Sequence, residues 1–293
     1  MDMLVHGGAG ETPADADARQ AVLDGAVAAG RDRATPTDAV VAAVGHLESA
    51  PRFNAGVGSA VQSDGVSRTD AGLMTGDGEA GAAGAMPGVA HAIDVAHAVK
   101  TGTPHVLVAG ERAVALAESV GVDTDCSLWT ERTRERWRAA DPPDADSTPE
   151  QSAWVRERFG DDHPREGPTD HDTVGAVATD GEGLAAATAT GGRWFALAGR
   201  VGDVPQVGAG FYATDRAAVS TTGDGEAIAR FGLARRVALA IEDGDRPQHA
   251  ADRVLRGFEA ETGGGAGVIA LRDDGETGRA FNTQAMQTAA FSG

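Results

Sequence analysis

The chain has one cysteine, one tyrosine and one lysine in 293 residues, and each scarcity closes off an explanation. With Cys126 as the sole thiol, neither an internal disulfide nor a cysteine-ligated zinc site is available. No histidine or asparagine arrangement beside it suggests a catalytic thiol, so it reads as passive. No run approaches the ~18 consecutive apolar residues of a membrane-spanning helix, although 41% of the residues are hydrophobic. Basic residues are also short: 25 Lys plus Arg face 44 Asp plus Glu, a net charge of -19. Such a field repels phosphate backbones, which argues against nucleic acid as a partner. Aromatic residues make up only 4%, and Lys100 stands alone among arginines. This composition is expected of a halophile protein kept soluble in a salt-rich cytoplasm, where screening removes the self-repulsion. Residues Met1 to His6 lack the basic and apolar regions of a secretion signal, so a cytoplasmic location is expected.

Periodicity predicts helices over 14–33 and 37–47, the second capped by Thr37 or Asp38. Further helices are predicted over 89–99 and 111–120, with a short buried run at Val106-Leu107-Val108 between them. The stretch 54–74 reads as loop plus strand. Residues 141–172 differ in kind: 10 acidic residues, three arginines and five of the twelve prolines point to a flexible acidic linker with little apolar surface to bury. Strand-like runs follow at 174–178, 184–190, 207–212 and 217–222. Then come a long helix over 225–242, another over 248–259, and two last strands at 267–271 and 280–283. That order fits an α+β domain with sheets held between helical layers.

The junction His171-Asp172-Thr173-Val174-Gly175-Ala176-Val177 carries the chemistry. A threonine there opens a strand directly after the linker. A threonine hydroxyl is a weak nucleophile unless a base adjoins it, and an N-terminal residue brings its own α-amine, with a pKa of about 7.7–8.0. That base exists only once the Asp172–Thr173 bond is broken, and the Thr173 hydroxyl is placed to attack its own preceding carbonyl. Taken alone, a threonine at a strand start is an ordinary β-branched strand residue.

Neighbouring motifs change this reading. The run from His171 to Gly192, Gly199-Arg200-Val201-Gly202-Asp203, and Ser220-Thr221-Thr222-Gly223-Asp224-Gly225-Glu226 resemble the plant-type L-asparaginase/isoaspartyl peptidase family. His6-Gly7-Gly8-Ala9-Gly10, Arg52-Phe53-Asn54-Ala55-Gly56-Val57-Gly58 and Phe281-Asn282-Thr283 extend the likeness, in order, over nearly the whole chain. These are N-terminal-nucleophile hydrolases with a four-layer αββα sandwich. The resemblance implies one domain over 1–293, cut into an α-subunit of 1–172 and a β-subunit of 173–293. Thr173 is then the nucleophile, Thr190 its supporting hydroxyl, and Thr222 with Gly223 the oxyanion hole. Arg200 suits the substrate α-carboxylate by bidentate pairing and Asp203 its α-ammonium. Gly225 lends backbone groups beside the ammonium, and Asn54 matches an asparagine near the nucleophile.

The likeness further implies a sodium ion held by backbone carbonyls of loop 47–58, no organic cofactor, small-molecule substrates (asparagine and β-aspartyl dipeptides), and a homodimer of αβ units. There are departures from it. Ser is replaced by Ala189 in Thr188-Ala189-Thr190-Gly191-Gly192, and Arg193-Trp194-Phe195-Ala196-Leu197-Ala198 is bulkier than usual, which is expected to narrow the leaving-group side of the pocket. Glycosylasparaginase-like or threonine endopeptidase activity is the alternative within the class. A non-catalytic amino-acid-binding pseudoenzyme is the alternative outside it.

Other signals fail on their own chemistry. Gly263-Gly264-Gly265-Ala266-Gly267 lacks the Gly-Lys-Ser/Thr ending of a phosphate loop. Ser59 and Ser220 lack a Gly-x-Ser-x-Gly elbow. The histidines lack metal-ligand spacing, with His91 and His97 six apart.

Overall fold

Strands buried along their whole length must be covered on both faces, and several here are. The computed structural model describes residues 1–144, 146–159 and 173–293. In chain order the elements are β1 (Asp2–Gly10), α1 (Ala16–Gly30), α2 (Pro36–Glu48), β2 (Arg68–Thr75), β3 (Ala80–Pro87), α3 (Ala92–Gly102), β4 (Leu107–Ala109), α4 (Glu111–Ser119), α5 (Glu131–Ala139) and α6 (Thr148–Phe159). They continue as β5 (Val174–Thr179), β6 (Leu184–Thr190), β7 (Phe211–Ala213), β8 (Ala217–Gly223), α7 (Gly225–Phe231), α8 (Leu233–Glu242), α9 (Pro247–Thr262), β9 (Ala266–Arg272), β10 (Thr277–Phe281) and β11 (Ala285–Phe291).

A seven-stranded sheet runs β11-β1-β5-β6-β2-β3-β4, and a four-stranded sheet runs β10-β9-β8-β7. Alternation within β5 and β6 shows how the layers stack. Val174, Ala176, Ala178, Ala185, Ala187 and Ala189 point into a core shared with α1, α2 and α3. Val177, Leu184 and Ala186 point the other way, into a core with Phe211, Ala218, Ile269 and Leu271 of the second sheet. Helices α7, α8 and α9 cover the far face of that sheet through Phe231, Val237, Leu255 and Phe258. The result is helix, sheet, sheet, helix: the αββα arrangement.

Several boundaries differ from the sequence reading. Helix α2 is capped by Thr35, whose hydroxyl accepts from Asp38 N–H at 3.1 Å, with Pro36 in the first turn. The single helix expected over 225–242 is two, because Gly232 takes a left-handed φ of 69° between α7 and α8. The strand expected over 207–212 is the shorter β7, and the one over 280–283 is split between β10 and the turn into β11.

The acidic segment departs furthest from its expected form. Residues 148–159, expected to be flexible, form α6, with Gln151 and Trp154 buried. Trp154 packs edge-on against Trp137 of α5 and against Phe195, at centroid distances of 6.3 and 5.5 Å. Gln151 accepts from Ser63 Oγ at 2.8 Å. Composition within the window missed this because the surface that covers Trp154 comes from outside it. Asp172 and the rest of 160–172 lie outside the described residues.

Candidate active site

Thr173 stands at the entrance to β5, an inner strand of the larger sheet, flanked by β1 and β6. Antiparallel pairing of Val174 with Ala189 carries Thr190, the last residue of β6, to its side. Thr173 Oγ1 donates to Thr190 Oγ1 at 3.3 Å, and both are buried. Thr190 Oγ1 accepts from Gly192 N–H at 3.2 Å and donates to the Asn54 carbonyl at 3.5 Å. The two hydroxyls therefore form a directed chain that ends on fixed backbone.

Thr173, Thr190, Arg200, Asp203, Gly223 and Gly225 line one cavity, so six residues picked from three separate motifs meet there. Gly192 and Arg193 complete the lining. Asn54 does not line it. Its amide is used up on backbone, accepting from Ala60 N–H at 2.7 Å and donating to the Gly192 carbonyl at 2.6 Å. Asn54 thus pins the turn after β6 and reaches Thr173 only through Thr190. Asn282 does the same at the facing end, accepting from Ala266 N–H at 2.7 Å and donating to the Gly264 carbonyl at 2.9 Å.

That second turn packs against Gly223, whose φ of 139° and contact with the Gly265 carbonyl leave no room for a Cβ. Thr222 is fully buried beside it on β8.

The charged side of the cavity is layered. Arg200 gives Nε and Nη2 to the two oxygens of Glu226, both at 2.8 Å, while Nη1 has no partner among the described residues. Burial alone would raise Glu226, but its hydrogen bonds to Arg200 and the charges of Arg200 and Arg193 outweigh that and hold its carboxyl at about 2. Asp203 is different. Burial pushes it up to about 7 despite the nearby Arg200 charge. Its Oδ2 is buried without a hydrogen-bond partner among the described residues. An orphaned carboxylate oxygen is costly, and a ligand ammonium is what would satisfy it.

Behind Arg200 lies Asp70, raised by burial to about 6 and accepting from Ala85 N–H at 2.7 Å. A bulge in the β2–β3 pairing, with Ala85 at φ 54°, makes that contact. Gln62 holds the Arg200 turn by donating to the Arg200 carbonyl at 3.0 Å and accepting from Gly199 N–H at 2.8 Å.

A neutral polar network lies behind Thr173. His6 Nε2 and Ser220 Oγ are 2.9 Å apart, and Ser220 Oγ meets Thr188 Oγ1 at 2.7 Å. Burial pulls the His6 imidazole down to about 3, against a hydrogen bond with the Thr173 backbone, so it is uncharged at working pH. The sequence does not mark Glu226, Asp70, Gln62 or the role of His6, although Glu226 lies in the run 220–226 and His6 in the run 6–10.

In loop 47–58, a Cβ at Gly58 would stand 2.9 Å from the Phe53 carbonyl oxygen and 3.0 Å from that of Pro51. Two main-chain oxygens therefore converge on one point. No cluster of three His, Cys, Asp or Glu side chains suited to a metal occurs among the described residues.

Comparison with known proteins matches all of residues 1–293 to the family described as Asparaginase. Over 219 residues the chain is 42% identical to the plant-type L-asparaginase of Pyrobaculum calidifontis, covering 72% of this chain and 69% of that protein. It is 36% identical to the plant-type L-asparaginase of Pyrococcus furiosus, covering 98% of this chain and 95% of that protein. It is 37% identical to the isoaspartyl peptidase/L-asparaginase of Xenopus laevis, covering 98% of this chain and 91% of that protein.

Proposed function

Because this chain belongs to the Asparaginase family and is a hydrolase, we propose that it cuts the side-chain amide of L-asparagine and the β-aspartyl bond of isoaspartyl dipeptides, with Thr173 as nucleophile. The observation that carries this reading is the Thr173 and Thr190 hydroxyl pair, 3.3 Å apart, sharing a cavity with the orphaned Asp203 oxygen.

Maturation comes first. The Thr173 hydroxyl oxygen attacks the carbonyl carbon of Asp172, the peptide C–N bond breaks to give an ester and a free α-amine, and water hydrolyses the ester. The freed amine then serves as general base near neutral pH. In turnover it takes the Thr173 proton as Oγ1 attacks the substrate side-chain carbonyl. Charge develops on that oxygen beside Thr222 and Gly223, where loss of a single donor costs on the order of 10²–10³ in rate. The amine passes the proton to the leaving nitrogen, ammonia or an amino acid departs, and water releases L-aspartate from the threonyl ester. Nη1 of Arg200 takes the α-carboxylate, and Asp203 takes the α-ammonium beside Gly225.

The Pro51 and Phe53 carbonyls suit a sodium ion, whose chemistry would be structural: it would fix the loop that presents Asn54. The homodimer of αβ units belongs to the same reading and is tested by light scattering against twice 29.7 kDa. So does a cytoplasmic location. Among the described residues, no helix is long and apolar enough to cross a membrane.

Denaturing electrophoresis should give two fragments, beginning at Met1 and Thr173, and the cut protein should release aspartate from asparagine or a β-aspartyl dipeptide. Cut protein that releases none at low or molar salt refutes the activity.

Asp203 also sets a pH dependence. Its carboxyl is raised to about 7, so below that pH it is protonated and offers the ammonium no charge. Affinity of the cut protein for L-aspartate, followed by calorimetry, should therefore weaken as pH falls from 7 to 5, approaching tenfold per unit. Asp70 and Glu226 face the same arginine, so Asp203→Asn, which flattens the limb, separates their contribution. A flat profile in the unaltered protein removes Asp203 from ammonium binding.

A further inference from the structure

We propose that Arg193 is a specificity-determining residue that holds the free terminal carboxylate of the leaving amino acid when the substrate is a β-aspartyl dipeptide. The proposal rests on the hydrolytic reading above and extends it to the far end of the substrate.

The bulky segment 193–195 sends its side chains to two different places. Trp194 is buried with Ala60 and Val61. Phe195 takes a φ of 61°, a left-handed conformation that a non-glycine residue rarely adopts. Its N–H is fixed on the Val61 carbonyl at 2.8 Å, and its ring packs against Trp137 and Trp154. The two aromatic side chains are thus spent on a cluster that anchors α5 and α6, and they do not narrow the cavity. Arg193 alone of the three lines it, together with Thr173.

Charge decides what Arg193 can bind. Glu226 is nearest to Arg200, with two contacts at 2.8 Å, while Arg193 Nη1 reaches the same carboxylate at 3.4 Å. Arg200 also faces Asp203 and Asp70, whereas this looser contact is the one ion pair Arg193 makes among the described residues, so its guanidinium can take a further anion. Its guanidinium lies over the Phe159 ring, 4.2 Å from the centroid, which fixes its plane and leaves the N–H edge for a planar carboxylate. The side chain is 30% exposed against 15% for Arg200, so the two cations stand as an outer and an inner one. Asparagine carries one carboxylate, which the inner arginine takes. A β-aspartyl dipeptide carries a second, at the end of its leaving group, and the outer arginine is the cation that remains for it.

The test compares kcat/KM for β-aspartyl-glycine, its C-terminal carboxamide and asparagine in the cut enzyme, in Arg193→Gln and in Arg193→Lys. Two electrophoretic fragments and an unchanged melting temperature qualify each variant. The free acid should be preferred over the carboxamide by about tenfold in the unaltered enzyme, a preference carried by KM and weakened by salt. Arg193→Gln should bring the ratio close to one, and Arg193→Lys should keep part of it. An unaltered enzyme without the preference, or a ratio unmoved in Arg193→Gln, overturns the proposal. An equal loss on all three substrates also overturns it, because it puts Arg193 on the aspartyl carboxylate. Failure of the unaltered enzyme on all three substrates instead refutes the hydrolytic reading, and this proposal with it.

Discussion

Thr173→Ala should leave the chain at its full 29.7 kDa and lower asparagine turnover by on the order of 10⁶. Both effects follow from one atom. In the proposed mechanism Oγ1 is the nucleophile for the cut and for the substrate, and without the cut there would be no free α-amine to act as base, so the loss would be that of a whole catalytic unit. The fold should survive. The substitution removes one hydrogen bond, to Thr190 at 3.3 Å, worth about 1 kcal/mol, and keeps the backbone of a strand anchored between β1 and β6. A preserved melting transition combined with absent activity is therefore the expected pair of results. Thr173→Ser keeps Oγ and should retain measurable cutting and turnover. Thr190→Ala removes only the supporting hydroxyl and should fall between the two. Intact-mass analysis of Thr173→Ala checks the claim directly, and two fragments split before residue 173 would show that another group does the cutting.

What the sequence revealed of this site, and what it hid, follows from how far apart the partners lie. Thr173, Thr190, Arg200, Asp203, Gly223 and Gly225 each sit in a short motif whose residue types already imply chemistry, and all six line one cavity. Glu226 is 26 residues from the arginine it pairs with, and Asp70 reaches the site only because a bulge turns Ala85 N–H toward it. Neither partnership has a local signal. Asn54 illustrates the reverse: the motif is visible in sequence, but only the hydrogen bonds show that it clamps a turn and leaves the substrate to others. Strand β3, Ala-Gly-Ala-Ala-Gly-Ala-Met-Pro, has no β-branched residue to mark it. Its small side chains are required because α3 lies close, and a Cβ at Gly81 would run into the Ala96 carbonyl. Helix α6 went unread for the same reason. Its Trp154 is covered by Trp137 and Phe195, which no window over 141–172 contains.

Arg200→Gln should lower kcat/KM for asparagine by about 10²–10⁴, since removing one member of a buried charge network typically costs about 3–5 kcal/mol. The arginine is the cation on which three carboxylates depend. Its charge helps hold Glu226 at about 2 and restrains Asp203 to about 7 and Asp70 to about 6 against burial. Without it, all three shift upward, and Asp203 becomes protonated at neutral pH. In the proposed binding mode the substrate would then lose both grips at once, the guanidinium on its carboxylate and the carboxylate on its ammonium. The pH at which L-aspartate affinity is half-lost should accordingly move to higher pH in the variant, a shift that loss of packing alone would not produce. Arg200→Lys restores a cation without the fork that engages both Glu226 oxygens, so it should recover the pH profile more fully than the rate. The substrate comparison is decisive. Asparagine should suffer far more than its α-carboxamide, which has no anion for Arg200 to read. A loss of the same size on both would assign Arg200 to support of the pocket walls and take the α-carboxylate away from it.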